Sequence, residues 1–339
     1  MSGYDDLKAL VDAADWFFTV ALPAPSQSED SAHRFEVEWA NARRDLSDGW
    51  DADELATVDA LMETLPHDGG EAVLLVHPRG GSTLVEFLDE PVRHRVVHEG
   101  PCPRLAPLIE ARQRALPHVM VQTDRAGADL AAFDGGTVLA TESVDGDTVH
   151  IHRGHAGGWS QRRFQQRAEN TWERNGNDVA DAVASLARTV DAQLVAVAGD
   201  VRAQGFVLDA LPPDIAERAV KIDAGSPEGI ADEVVRLLSD RVASDIVSLA
   251  EQVRTELAND RASVESDATL HALVEGRVDT LLAHDDGSTG PTVRSGQGFP
   301  DGARTVDAAI AAALRTDAQV VIVPALAVLD GPIAALLRW

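Results

Sequence analysis

Cysteine, tyrosine and methionine are scarce in this chain of 339 residues, which contains one, one and three of them respectively. The single cysteine, Cys102 in GPCPRL, cannot form a disulfide within the chain. Its position between two prolines also makes it a poor candidate for a nucleophile. We therefore expect neither a disulfide framework nor thiol chemistry.

Long apolar stretches are also missing, since no run of about 18 uncharged apolar residues occurs. The opening MSGYDDLKAL has acids where a signal peptide has positive charge. With 45% apolar residues, the chain has enough material for the cores of two or three domains. We expect a globular, cytoplasmic protein without a membrane partner.

Positive charge is sparse, with 29 basic residues against 56 acidic ones and a net charge of −27. Only two of the basic residues are lysines, Lys8 and Lys221. A field of this sign repels phosphate at low salt, so we do not expect DNA as a partner. Any contact with RNA must therefore be local.

The alternation of helical and strand patterns predicts a mixed α/β fold. A first domain over 1–117 shows helices near its start and over 31–48, followed by three strands. A second domain over 118–226 opens as a β-meander and continues with a helix over 160–189. A third domain over 227–339 starts with a long acidic helix and ends in an apolar segment, GPIAALLRW. That terminal segment is expected to close the core of the last domain.

One window lacks acidic residues. Acids make up about one residue in six, so 21 residues should hold three or four, yet Thr148 to Ala168 hold none. Histidines and arginines fill this window, which makes it locally cationic. We interpret it as a candidate phosphate-contacting patch.

The residue types in this window suit an anionic partner. Gly157 and Gly158 can adopt positive φ and let the backbone approach closely, and Ser160 is suited to the N-cap of the following helix. Basic residues in a first helical turn oppose the helix dipole, which points to an external anion. The candidate loop comprises Arg153, Gly157, Gly158, Trp159, Ser160, Gln161, Arg162, Arg163 and Arg167.

Alternatives remain open for this window. Its arginines could be neutralised by acids elsewhere, and the Trp159 ring could fold back on its own domain instead of stacking on a base. His150, His152 and His155 have a spacing that could hold a metal, but no cysteine or nearby carboxylate joins them. We assign them to a phosphate-facing surface, and we expect no metal, no cofactor and no catalytic residue. Neither a P-loop nor a G-x-S-x-G elbow is present.

The loop Gly157-Gly158-x-Ser160, followed by QRRFQQR, resembles the Gly-Gly-Gln loop of the archaeal and eukaryotic class I peptide-chain release factors. In that family the pattern is Arg-Gly-Gly-Gln-Ser-x-x-Arg-Phe, and Arg163 and Phe164 fall in register with its Arg-Phe. AQLVAVAGDVRAQGFVLDALP matches the strand and glycine turn after the family's long helix. LDGPIAALLRW is similar to its terminal Gly-x-Gly-x-Leu-Leu-Arg-Tyr.

The resemblance covers roughly residues 120–339 and is to the bacterial, Pelota-like relatives of these factors, in their actinobacterial branch, which includes ribosome-hibernation factors. It implies a three-domain, release-factor-like architecture in which helices cover mixed sheets. It also implies that the central domain enters the peptidyl-transferase region and the N-terminal domain approaches the decoding centre. The C-terminal domain would face partner proteins such as EF-Tu.

The sequence departs from this family at the residue that carries hydrolysis. Where the family has glutamine, this chain has Trp159, whose indole donates one N–H, accepts nothing and fills the space that a water needs. No Asn-Ile-Lys-Ser-like decoding motif occurs in the first domain. The resemblance therefore favours a protein that occupies the A site of idle 70S ribosomes and protects them. A peptidyl-tRNA hydrolase in ribosome rescue and an acidic protein-binding scaffold in stress remain the alternatives.

Overall fold

The computed structural model describes residues 4–26, 29–66, 69–92, 95–124, 126–134, 137–145, 158–294, 296–325 and 330–339, without the side chains of 29–30 and 158–172. The chain divides into two compact units. The first combines Met1–Gln113 with Asp245–Trp339, and the second is Arg114–Ser244. Helices and three sheets confirm the predicted mixed α/β class. The three-domain division, with its boundaries at 117 and 226, stays a prediction.

The N-terminal part of the first unit is built on a four-stranded sheet with the order β3-β2-β1-β4, in which every neighbouring pair is antiparallel. Its elements are α1 (Asp5–Asp12), β1 (Phe17–Pro23), α2 (Glu29–Asp45), α3 (Ala52–Glu63), β2 (Ala72–Pro78), β3 (Leu84–Leu88), β4 (Val96–Gly100) and α4 (Ala106–Arg114). Strand β1 is apolar on both sides apart from the buried Thr19, as suits a strand in a sheet with both faces covered. Phe18 packs on the face that carries α2 and α3, and Phe17 packs on the opposite face.

Helix α3 has no counterpart among the predicted elements. Asp51 caps its N-terminus, since the carboxylate accepts hydrogen bonds from the Asp53 and Glu54 amides. Leu55, Val58 and Met62 recur at helical spacing and are buried. An acidic N-cap followed by this spacing is the signal that could have identified the helix.

The C-terminal part contains a second four-stranded sheet, with the order β10-β13-β11-β12. It follows α8 (Pro227–Leu257), and its elements are β10 (Ala262–Ser263), α9 (Ser266–Val274), β11 (Val278–Ala283), α10 (Thr305–Arg315), β12 (Gln319–Ile322) and β13 (Ile333–Leu337). Strand β13 lies between β10 and β11, and Ile333 and Leu336 are buried. The terminal apolar segment is therefore part of the core, as predicted.

One hydrophobic core joins these two distant parts of the chain. Leu7 in α1 and Leu108 in α4 belong to the same buried cluster as Ile310 in α10. Polar contacts reinforce the junction: the Gln113 side chain donates to the Ile322 carbonyl at 3.0 Å and accepts from its amide at 2.9 Å. The N-terminal and C-terminal parts thus form one folded unit.

A buried cluster of charged residues lies at the same junction. The Asp307 side chain is fully buried and accepts from Arg304 at 3.2 Å, and Arg304 also pairs with Asp285. His98 and Arg104 approach the Asp307 Oδ2 atom at 3.9 and 4.0 Å. Burial raises the pKa of Asp307 to about 7, although Arg304 and Arg104 act to lower it. Burial, together with the two arginines, lowers the pKa of His98 to about 4.

The second unit contains a five-stranded sheet with the order β7-β6-β5-β8-β9. Its elements are β5 (His118–Thr123), β6 (Gly127–Asp134), β7 (Thr137–Asp145), α5 (Gly158–Thr189), β8 (Leu194–Gly199), α6 (Val201–Ala210), α7 (Pro213–Ala216) and β9 (Ala219–Lys221). Strands β5 to β7 form the predicted antiparallel meander, and β5, β8 and β9 run parallel. Helices α5 and α6 cover one face, and the first half of α8 covers the other. Within the described ranges, no helix is long and apolar enough to cross a membrane.

Candidate nucleic-acid interface

The candidate loop falls only partly within the described part of the chain. Arg153 and Gly157 lie outside the described residues, as do His150, His152 and His155. The backbone of Gly158, Trp159, Ser160, Gln161, Arg162, Arg163 and Arg167 forms the first turns of α5. The assignment of these residues to RNA contact stays a prediction.

Helix α5 begins at Gly158, two residues earlier than predicted. Ser160 therefore lies in the first turn instead of at the N-cap, a difference within the usual spread of helix boundaries. Its amide is still among the first four N–H groups, which have no partner within the helix. Positions 163 and 167 are four residues apart and lie on one face of α5.

The second half of α5 is anchored firmly on the sheet. Val179 and Val183 are buried in the core of the second unit, and a salt bridge joins Arg188 to Asp214 at 3.1 Å. Because a helix is a stiff element, this anchor fixes the direction of the whole of α5. The turns that carry the candidate residues continue from this anchored half.

A close crossing with α6 also fixes α5. A Cβ atom added at Gly176 would lie 2.7 Å from the Cβ of Phe206, which is closer than real Cβ atoms approach. Only glycine lets the two helices pass at this distance. At the start of α6, Asp200 serves as N-cap and accepts from the Arg202 and Ala203 amides at 3.0 and 3.2 Å.

The turn after β8 also requires glycine. Gly199 has φ +117°, and a Cβ atom there would overlap the Thr123 carbonyl oxygen of the neighbouring strand. This is the glycine turn in AVAGD, which carries part of the family resemblance. It brings the N-terminus of α6 to the carboxyl ends of the parallel strands β5 and β8.

A small crevice lies at this edge of the second unit. Its lining includes Asp124 from the β5–β6 turn, Asn175 from α5 and Arg202 from α6. The Asp124 carboxylate is already engaged, because it accepts from the Ala126 and Gly127 amides at 2.7 and 2.9 Å. Across the described ranges, no group of three or more His, Cys, Asp or Glu residues could hold a metal ion.

Comparison with known proteins defines the class of the central segment. Residues 117–259 match the family described as bacterial archaeo-eukaryotic release factor family 2. This match confirms the predicted resemblance to the archaeo-eukaryotic release factors, and within that class the segment is similar to bacterial family 2.

The relatives extend this similarity over most of the chain. This chain is 28% identical over 313 residues to Uncharacterized protein Rv2629 of Mycobacterium tuberculosis strain H37Rv. The alignment covers 89% of this chain and 83% of that protein. The protein MT2704 of strain CDC 1551 gives the same values.

Solved structures of release-factor relatives are also similar. Archaeal Pelota, in a model of ribosome-bound Pelota and ABCE1, has a TM-score of 0.45 at 16% identity and covers 100% of this chain and 94% of that one. Yeast Dom34, described as interacting with Hbs1, has a TM-score of 0.43 at 10% identity, with coverages of 76% and 73%.

Proposed function

We propose that this protein binds the A site of idle 70S ribosomes and protects them, acting as a binder without hydrolytic activity. One observation carries the proposal: the release-factor family segment at 117–259 includes a Gly-Gly-x-Ser loop in which tryptophan replaces the family's glutamine. An indole cannot accept a hydrogen bond from a water, so this loop lacks the group that orients the attacking water in the family. The loop is therefore suited to binding the ribosome and not to hydrolysis.

The residues around Trp159 have separate roles in this proposal. Arg153, Arg162, Arg163 and Arg167 contact phosphates of ribosomal RNA in the A site and the peptidyl-transferase region. The pair Gly157-Gly158 lets the loop approach the RNA closely, and the Trp159 ring stacks on a base. The firm anchor of α5 supports these roles, because it limits the entropy lost when the loop binds.

The charge distribution explains why this window is favoured for RNA contact. The net charge of −27 repels RNA from most of the surface, and the acid-free window is a local exception. We place the protein in the cytoplasm, where ribosomes are, and propose EF-Tu as a partner protein. DNA and membranes are not partners in this scheme.

Sedimentation with 70S ribosomes from growing and starved cells tests binding. We expect the wild type to sediment with ribosomes, and more so with those from starved cells. Arg162→Glu combined with Arg163→Glu should weaken binding with little change in melting temperature. The slope of log affinity against log salt should become shallower by roughly 0.9 for each lost phosphate contact on duplex RNA. The exposed Arg254 of α8, which makes no hydrogen bond or ion pair with a described residue, offers a control position.

Two results would contradict this assignment. An unchanged affinity and salt slope in the double variant would show that the window does not contact phosphate. A wild type that never sediments with ribosomes would instead favour a protein-binding scaffold.

A peptide-release assay separates the binder from a hydrolase. The wild type should release no peptide from ribosome-bound peptidyl-tRNA. Robust release that is lost in Gly158→Ala would overturn the proposal in favour of a peptidyl-tRNA hydrolase. Trp159→Ala should weaken ribosome binding by about 1–3 kcal/mol if the ring stacks on a base. Gain of release by Trp159→Gln would show that the loop still reaches the ester.

A further inference from the structure

Arg79 lies across the faces of two tryptophans in the first unit. Its guanidinium carbon is 4.9 Å from the centre of the Trp50 ring and 5.8 Å from the centre of the Trp16 ring. Both distances lie within the range of a cation–π interaction. We refer to Trp16, Trp50, His77 and Arg79 as the Arg79 cluster.

The backbone around Arg79 holds this side chain in place. The Arg79 amide donates to the Trp16 carbonyl at 2.9 Å, directly after the end of β2. Gly80 has φ +72°, and its amide donates to the Glu54 carboxylate. A Cβ atom at Gly81 would lie 2.7 Å from the Pro78 side chain, so the turn is tight. The arginine therefore projects from a short, well-defined connection between β2 and β3.

The closer of the two rings beneath Arg79, that of Trp50, is also fixed. Trp50 is buried and meets Phe18 edge to face, with the ring centres 4.7 Å apart. His77, also buried, is tilted against both rings. A guanidinium on such a platform loses little rotamer freedom when it binds a ligand.

The hydrogen-bond donors of Arg79 remain unused. The Arg79 side chain is exposed, and its guanidinium makes no hydrogen bond or ion pair with any residue that the structure describes. By contrast, Arg112 binds both Asp6 and Glu86. Stacking occupies the face of a guanidinium and leaves the N–H groups at its edge available. In a chain with about twice as many acids as bases, an arginine that makes no ion pair with a described acid suggests an external anion.

Two further nitrogens in the cluster lack partners. Trp50 Nε1 and His77 Nε2 are buried without a hydrogen bond to a described residue. Buried polar atoms are seldom left unpaired in folded proteins, so each such atom calls for an explanation. Burial lowers the pKa of His77, which keeps the ring neutral and leaves Arg79 as the positive charge of the cluster.

We propose that the Arg79 cluster binds a phosphate group of RNA. It thereby forms a second contact with ribosomal RNA, separate in sequence from the acid-free window of Thr148 to Ala168. This inference rests on the proposed function. The guanidinium edge matches two phosphate oxygens, and the half-buried Trp16 ring beside it can stack on a base. A free phosphate ion is repelled by the protein's overall charge. A polymer bound elsewhere presents its phosphates at a high effective concentration.

A pair of charge reversals in the full-length protein tests this site. Arg79→Glu and Arg254→Glu change the net charge equally, and both positions are exposed, in the first unit and without an ion pair to a described residue. Only Arg79 stacks on aromatic rings. In sedimentation with 70S ribosomes, Arg79→Glu should lower the affinity by tenfold or more, the order expected for losing a charged hydrogen bond. It should also make the salt slope shallower by roughly 0.9, which Arg254→Glu should not do.

One further variant and a melting measurement separate binding from folding. Arg79→Lys keeps the charge but loses the planar fork, and it should bind with intermediate affinity. Melting temperatures report whether any variant is unfolded. If Arg79→Glu and Arg254→Glu bind equally well while the wild type binds ribosomes, the phosphate site is wrong and the proposed function stands.

A second measurement is independent of the ribosome. Tryptophan fluorescence of the wild type is titrated with a 12-nucleotide single-stranded RNA, with inorganic phosphate and with poly-glutamate. We expect a change with RNA alone, which is reduced in Arg79→Glu, where Trp159 can still respond, and kept in full in Arg254→Glu. An equal response to poly-glutamate, or an unaltered response in Arg79→Glu, would overturn the inference. If the RNA response depends on Arg79 while the wild type does not sediment with ribosomes, the proposed function fails and the RNA site stands.

Discussion

The buried cluster at the junction of the first unit predicts opposite pH responses for two single substitutions. Asp307 has a folded-state pKa of about 7, above its ordinary value of 3.8. Its contribution to stability is fully present below pH 3.8 and is lost as the pH rises to about 7. His98 has a folded-state pKa of about 4, below its ordinary value of 6.5. Its contribution is present above pH 6.5 and is lost as the pH falls to about 4.

These two contributions cancel in the wild type. One pKa unit corresponds to about 1.4 kcal/mol, so each group gives a slope of about 1.4 kcal/mol per pH unit, with opposite signs. Asp307→Asn removes one slope, so the free energy of unfolding should fall by about 3 kcal/mol between pH 6.5 and 4, relative to the wild type. His98→Asn should produce the opposite change, with stability rising toward low pH.

Urea denaturation of the full-length protein at pH 4.5, 5.5 and 6.5 measures these slopes. The difference between each variant and the wild type removes the contributions of all other titrating groups. The double variant should return to the wild-type slope. Parallel pH profiles for the wild type and both single variants would refute the reasoning.

Three further predictions concern packing and reactivity. Gly176→Ala should destabilise the protein by about 1 kcal/mol, because overlap with α6 outweighs the gain in helix propensity. The control is Gly205→Ala, because an added Cβ atom at Gly205 meets no atom within 4 Å; this variant should stabilise the protein by up to about 1 kcal/mol. Equal melting temperatures for the two variants would argue against the close crossing of α5 and α6. Deleting Pro332–Trp339 removes β13 from the middle of its sheet and should cost several kcal/mol by denaturation; wild-type stability would mean that the tail does not pack as described. Burial raises the pKa of Cys102 to about 11, so iodoacetamide should label it at pH 8 only after unfolding, and labelling of the native protein would contradict this.

Local patterns predict much of this fold. The meander from His118 to Asp145 follows from apolar runs broken by turn residues. The predicted start of α5 lies two residues from its observed start. The prolines at 101, 103 and 107 give no sign of the helix in this stretch: α4 starts at Ala106, and Leu108 and Ile109 are fully buried in the shared core. Proline is compatible with the first turn of a helix, so it need not mark a boundary.

The candidate sites differ in how far a sequence can reveal them. The acid-free window of Thr148 to Ala168 can be found from the sequence, because the lack of acids is a local property of the chain. The Arg79 cluster does not, because Trp16, Trp50 and Arg79 are 34 and 29 residues apart and meet only through the folded sheet. The same holds for His98 and Asp307, which lie more than 200 residues apart. Contacts of this kind depend on tertiary packing, which no local pattern specifies.

The shared core of the first unit has a consequence for the order of events during synthesis. Residues up to Gln113 leave the ribosome early, but α10 and β13, which complete their core, are made last. At about 5–20 residues per second, the early part waits roughly ten seconds or more with apolar surface exposed. The contiguous second unit can meanwhile fold on its own. Nascent chains of this protein should therefore depend on chaperones until the final strand emerges.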